Sequence, residues 1–221
     1  DPRTQEGELL FPEKFPKHVL DNLKVSLGSI EFSAQHQQNP VPAEGGMIQA
    51  QWLSRRWLHG YESSTHADSK KLPPSFDEWL MVADCAFKKT DTSDKVAIGV
   101  FGRKGNDVYL IDIAWRRMGF NETIQAIIDL RKNFPLCRRT IIEDKANGSA
   151  VIETLQKKLP GIIPVNPDGG KEARVAAITP YLEAGNFWLP ASAPWVSDYI
   201  AECLAFPRGA NDDAIDMTAY A

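Results

Sequence analysis

The chain has 221 residues, 43% hydrophobic and 24% charged, with a net charge of −4. That balance is close to the average for a globular domain and excludes dominant disorder. No apolar run approaches the ~18 residues of a membrane helix, the start carries no secretory signal, and the mild acidity leaves no basic footprint of the kind nucleic-acid binders usually show.

Residues 1–75 read as an irregular arm or linker, with Pro12, Pro16, Pro40, Pro42, Pro73, Pro74 and the Gly45-Gly46 pair. One amphipathic helix is expected from Lys17 to about Leu27, with Val19, Leu20, Leu23 and Leu27 on one face and Gly28 ending it. A second short helix is expected over Gln51–Leu58, and the polar stretch Glu62–Lys71 reads as an exposed loop. The pattern changes at about Phe76, so residues 76–221 are expected to form the main domain.

Trp79–Ala83 is a short apolar run that predicts a buried strand stopping at Asp84. Lys95–Phe101 and Val108–Trp115 flank a Gly/Asn/Asp loop and predict an antiparallel hairpin, so the domain opens with a three-stranded meander. Asn121 is expected to cap a helix whose stripe is Ile124, Ile127, Ile128 and Leu130. A fourth strand is expected at Arg138–Ile142, ending at Glu143. Then come a helix from Gly148 to Leu159, a strand at Ile162–Val165, and helices near Lys171–Glu183, Trp195–Leu204 and Asn211–Ala221. Strands separated by helices imply a mixed α/β sheet with helices on its faces.

Cys85, Cys137 and Cys203 are widely spaced and odd in number, which argues against a disulfide framework and for reduced thiols. His18, His36, His59 and His66 show no zinc-ligand spacing. The acids stand out by position instead. Asp84 ends the first strand of the domain, Glu143 ends the fourth, and Asp212 and Asp213 open the last helix. If the first and fourth strands are neighbours, these carboxylates meet where α/β folds place their ligands. A cluster of carboxylates is tolerated beside a cation. Oxygen ligands without His or Cys suit Mg²⁺ or Mn²⁺, and two such ions can clamp a phosphodiester. The plainer alternative is that an Asp after a strand is a turn residue and Asp212 a helix-start residue.

Several segments carry a further likeness. They are Phe32–Pro40, Glu44–Ile48 with Trp52, Val82–Ala86, Ile142–Gly148 and Asn211–Asp216, in that order. From about Glu13 to Ala221 the chain resembles the nuclease end of bacteriophage terminase large subunits, the DNA-packaging motor proteins. The resemblance implies an RNase H-like fold: a three-strand antiparallel meander plus parallel strands, flanked by helices. It implies a divalent-metal-dependent endonuclease that cuts double-stranded concatemeric DNA, working with Mg²⁺ or Mn²⁺, two ions in all. Asp84 is similar to the family's first metal-bridging Asp and Glu143 to its second acidic ligand. Asp213 matches the third, with Asp212 competing. Asp216 is a partner behind the ligands or a helix-surface residue, and Asp91 sits near where some members place an extra acid. Asn211 stands where the family often has His. No Walker A phosphate loop occurs, so this chain is not expected to hydrolyse ATP by that route; either the ATPase has been cut off or this is a stand-alone remnant, and the Asp1 start favours a cut.

Phosphate contacts are expected at Lys145, Lys88, Lys89, Lys171, Arg174 and Arg208, with Asn147-Gly148 allowing close backbone approach at a helix start. For each the alternative is a solvated surface charge. By resemblance the partners are double-stranded DNA, the terminase small subunit and the portal, with no membrane. The location is the cytoplasm of the bacterial host, transiently at the procapsid portal. Two competing readings are another nuclease of this fold, such as a junction resolvase, and a non-catalytic module docking DNA or the portal. The acid order Asp, Glu, Asp disfavours transposases.

Overall fold

The structure, a computed structural model, describes residues 9, 11–23, 25, 26, 46–60, 62, 66–85, 95–145, 148–167 and 169–221. The chain divides into two compact units, Asp1–Gly45 and Gly46–Ala221. In the first unit, residues 17–23 and 25–26 are helical, with Val19, Leu20 and Leu23 half-buried. The expected helix end at Leu27-Gly28 lies outside the described residues.

The second unit is built on one sheet of eight strands. They are β1 (Arg56–Leu58), β2 (Ser69–Lys71), β3 (Glu78–Asp84), β4 (Val96–Lys104), β5 (Asp107–Arg116), β6 (Thr140–Glu143), β7 (Ile162–Val165) and β8 (Phe187–Pro190). Their spatial order is β2-β1-β8-β5-β4-β3-β6-β7. The expected meander is present: β3 pairs antiparallel with β4, and β4 with β5. The β4–β5 turn is tighter than the loop read from sequence. Both strands run on to a two-residue turn at Gly105-Asn106, where Gly105 adopts φ +59°. That left-handed backbone is the one glycine reaches without strain. The remaining pairs (β3–β6, β6–β7, β5–β8, β8–β1 and β1–β2) are parallel.

Five helices accompany the sheet: α1 (Phe120–Asn133), α2 (Gly148–Gln156), α3 (Lys171–Glu183), α4 (Val196–Ala205) and α5 (Asp213–Ala219). Strand alternation assigns them to faces. Met81 and Ala83 of β3, Val96, Ile98 and Val100 of β4 and Ile142 of β6 share a core with Ile124, Ile127 and Leu130 of α1 and Val151 and Leu155 of α2. The alternate residues point the other way, and there α5 packs on β3 and β4. Gly99 allows this approach: a Cβ on it would lie 2.6 Å from the Met217 sulfur. Strand β4 is buried along seven residues because both faces are covered.

Three expectations are corrected. Gln51–Leu58 is not a helix; a 3₁₀ turn at Ala50–Leu53 leads into β1. Trp57 anchors that strand, its indole N–H donating to the Leu110 carbonyl at 3.0 Å, and Arg56 is buried against the Leu53 carbonyl. The stretch Glu62–Lys71 is not all loop: Ser69–Lys71 forms β2, with Lys70 paired to Asp107 at 2.6 Å and its ammonium 3.8 Å from the Trp188 ring centre. Helix α1 is capped at Gly119 rather than Asn121. The Glu122 carboxylate takes the Gly119 N–H at 2.8 Å, the reciprocal half of a capping box. Strand β8 went unread. Among the described residues no helix is long and apolar enough to cross a membrane, and all three cysteines are buried free thiols.

Candidate metal centre

The parallel register of β3 with β6 runs Met81↔Thr140, Val82↔Ile141, Ala83↔Ile142. One more step sets Asp84 beside Glu143, both at strand ends. Alternation aims both at the face covered by α5, because Ala83 and Ile142 point into the α1–α2 core. Helix α5 completes the arrangement. Asp84, Glu143 and Asp216 each bring one carboxylate oxygen to within 4.8 Å of the others. Among the described residues these are the acids that converge.

The third member is therefore Asp216 in this geometry. Asp213, one turn earlier on α5, is also buried at 3% exposure but stands outside the converging set. Its charge acts on both Asp84 and Glu202 of α4. Asp212 occupies the N-cap position of α5, yet its carboxylate is not used as a cap. It accepts instead from Lys171 at 2.6 Å. Asn211 precedes the helix without capping it.

Two cations of α3 face the acids. The Arg174 guanidinium donates to Asp216 Oδ1 through Nη2 at 2.6 Å and through Nε at 3.1 Å. The other oxygen, Oδ2, is buried without a hydrogen-bond partner, with the Lys171 ammonium 3.4 Å away. Two donors on one oxygen thus hold the carboxylate, while its second oxygen makes no hydrogen bond and faces the Lys171 ammonium. Burial pushes the Asp84 carboxyl up to about 7, helped by Asp216 and Glu143 and opposed by Lys171. Burial disfavours the charge on Lys171, but Asp212, Asp216 and Asp84 outweigh it and raise its pKa. The Tyr220 hydroxyl, which the sequence reading did not single out, is buried beside Glu143. Burial and then the nearby Glu143 push its pKa well up. The Arg174 guanidinium lies 5.1 Å from its ring centre.

These residues fit a divalent cation. The donors are hard oxygens, two of the three carboxylates are almost fully buried, and one oxygen lacks any hydrogen bond. The expected phosphate contacts are less concentrated. Lys145 and Arg208 are exposed, whereas Lys171 and Arg174 are engaged with acids. Lys88, Lys89, Asp91 and Asn147 lie outside the described residues. Gly148 is buried, and a Cβ there would collide with the Glu143 carbonyl. Its lack of a side chain lets α2 start against the end of β6.

A mixed sheet opened by a three-stranded meander, with acids at two adjacent parallel strand ends under a C-terminal helix, is the RNase H-like class of fold. Residues 81–221 match the model of the terminase RNase H-like domain, and the chain belongs to that family. The large terminase of the thermophilic bacteriophage D6E in complex with ADP is similar in structure, with a TM-score of 0.66 at 11% identity, over 94% of this chain and 52% of that one. The chain therefore spans about half the length of that terminase. The large terminase nuclease from the thermophilic phage G20c with bound magnesium has a TM-score of 0.56 at 13% identity, over 80% of this chain and 96% of that one. The same nuclease with bound cobalt gives 0.56 at 12%, with the same coverage. At such identities the likeness concerns the fold. No curated protein sequence matches the chain.

Proposed function

We propose that this domain is a divalent-metal-dependent endonuclease that cleaves double-stranded, concatemeric phage DNA during genome packaging. The observation that carries the reading is the convergence of Asp84 and Glu143, at two strand ends, with Asp216 of α5, whose buried Oδ2 makes no hydrogen bond. The magnesium and cobalt bound by the G20c nuclease support it as properties of a protein of like fold.

Asp84, Glu143 and Asp216 would hold Mg²⁺ or Mn²⁺, in a pair of ions as two-metal phosphodiester cleavage requires. Bound ions of this kind supply Lewis-acid polarisation of the phosphodiester and activation of the attacking water. The protein's own residues do the rest. Arg174 orients Asp216. Lys171 supplies positive charge at the edge of the cluster, where it offsets the mutual repulsion of the acids. Asp213 adds negative charge from behind, and Asp212 keeps Lys171 in place. Among the described residues of the expected set, Lys145 and Arg208 are exposed and can meet the phosphate backbone without reading sequence. Family membership supports the terminase small subunit and the portal as partners, and the procapsid portal in the host cytoplasm as the place of action.

A plasmid cleavage assay in Mn²⁺ tests the reading. The domain is expected to nick and linearise plasmid, EDTA to stop it, and Asp84→Asn to cut activity by more than about a hundredfold, beyond the loss usual for a residue behind the ligands. Cleavage that survives Asp84→Asn would sink the proposal.

A further inference from the structure

Helix α5 delivers Asp216, yet its own N-terminus has no local cap. The first N–H groups of a helix have no partner within it and are normally met by a side chain at the N-cap. Here that position is Asp212, whose carboxylate is turned to Lys171. The need is met from another helix. Glu202 of α4, only 8% exposed, accepts the Ala214 N–H on Oε1 at 2.6 Å in a buried setting. The Ile215 N–H reaches the same carboxylate.

A second link joins the two helices at the far end of α5. The Tyr199 hydroxyl lies 2.8 Å from the Thr218 hydroxyl, and Tyr199 is fully buried. Tyr199 and Glu202 are three apart on α4, hence on one face of it. Thr218 and Ala214 are four apart on α5, and the Thr218 hydroxyl also donates to the Ala214 carbonyl at 2.8 Å. Helix α4 therefore grips α5 by a carboxylate at the start and a hydroxyl at the end. Two points of attachment set both the height and the rotation of a seven-residue helix, and these decide where Asp216 points.

The geometry points to Glu202 as a positioning residue: it caps α5 from α4 and so holds Asp216 in register with Asp84 and Glu143 for metal binding. This rests on the metal-centre reading above. Among the described residues, Glu202 is not one of the acids whose oxygens converge. It acts through the reach of its carboxylate, because Ala214 N–H needs an acceptor at that one place.

Reach and charge are separable by substitution. Glu202→Asp keeps the charge and withdraws the acceptor by one methylene. Glu202→Gln keeps the acceptor at full reach and removes the charge. Mn²⁺ affinity, measured by calorimetry on the folded chain, is expected to weaken about tenfold or more in Glu202→Asp, the size of loss seen for residues that orient ligands. It is expected to stay within about threefold of wild type in Glu202→Gln, the conservative rescue. Amide exchange at Ala214 and Ile215 in the metal-free protein should quicken in Glu202→Asp alone. Ala201→Gly, on the exposed side of α4, serves as a control that loosens α4 without touching the cap, and should keep wild-type Mn²⁺ affinity. Wild-type affinity in Glu202→Asp, or equal losses in Glu202→Asp and Glu202→Gln, would overturn the positioning role. Asp84→Asn separates the two readings. If it abolishes Mn²⁺ binding while Glu202→Asp does not alter it, only the role of Glu202 falls; if it leaves binding intact, the metal centre itself falls, and this role with it.

Discussion

Strand β3 begins on one acid and ends on another, and the two live under opposite conditions. Glu78 keeps 37% of its side chain in solvent and is gripped by Arg103 at 3.1 Å and by Arg139. Next to it, Asp77 pairs with Lys104 at 2.7 Å, again in solvent. Both acids at that end are matched and hydrated. At the other end Asp84 is 8% exposed, with Glu143 on the neighbouring strand and Asp216 across from it. Water screens the first group, so its ion pairs hold the molecule together only weakly. The second group lacks both water and enough countercharge, so it strains the fold unless a cation arrives. Charge placed at stability's expense is the physical reason for treating this end as the candidate metal centre.

The largest expected break in that contrast comes from the third acid. Asp216→Asn should weaken Mn²⁺ binding by more than about a hundredfold, and Asp213→Asn by no more than about tenfold, as calorimetry on the two variants would show. A reversed order would move the third ligand position to Asp213.

A smaller effect concerns stability without metal. The folded-state pKa of Asp84, about 7, lies above its ordinary value of 3.8. The folded state therefore binds the proton more tightly, and metal-free stability falls as pH rises from about 4 to about 7. Glu202, raised to about 7 by burial despite its bond from Ala214, acts in the same sense. Asp84→Asn removes the larger share of strain at the cluster and should raise metal-free stability at pH 8 by on the order of 3 kcal/mol, with little gain at pH 4. Thermal melts at the two pH values in EDTA check both the size and the sign; an Asn variant less stable than wild type at pH 8 would show that the cluster is not strained.

The smallest effect belongs to the hydrated end. Glu78→Gln should cost under about 1 kcal/mol in denaturant titration and leave Mn²⁺ affinity unchanged. A loss as large as that at the acidic cluster would erase the distinction between the two ends.

Much of the site was legible because it depends on short-range pattern. An apolar run that stops at an acid is visible in Trp79–Asp84, and a shorter one in Ile141–Glu143, and the alternation within each strand fixes which face the acid takes. The expected spans of α3 and β7, Lys171–Glu183 and Ile162–Val165, coincide with the observed ones. Strand β8 was not legible, since Phe187–Pro190 is four residues ending in proline and becomes a strand only by pairing with β5 and β1. Strands β1 and β2 fail to show for the same reason. Three residues carry almost no periodic signal, and Trp57 and Lys70 act through partners far away in sequence.

The sequence by itself determined the meander, the alternation that brings Asp84 and Glu143 to one face, and an acidic start to the last helix. Those are properties of neighbours along the chain, where the periods of strand and helix operate. Only the tertiary structure decided which acid of that helix enters the cluster. The choice depends on how α5 is rotated, and this is set from outside the helix. Gly99 lets Met217 close on β4, Glu202 and Tyr199 fasten the two ends from α4, and Arg174 takes one oxygen of Asp216 from α3. Each of these partners lies at least twelve residues from the group it fixes, beyond the reach of any local pattern.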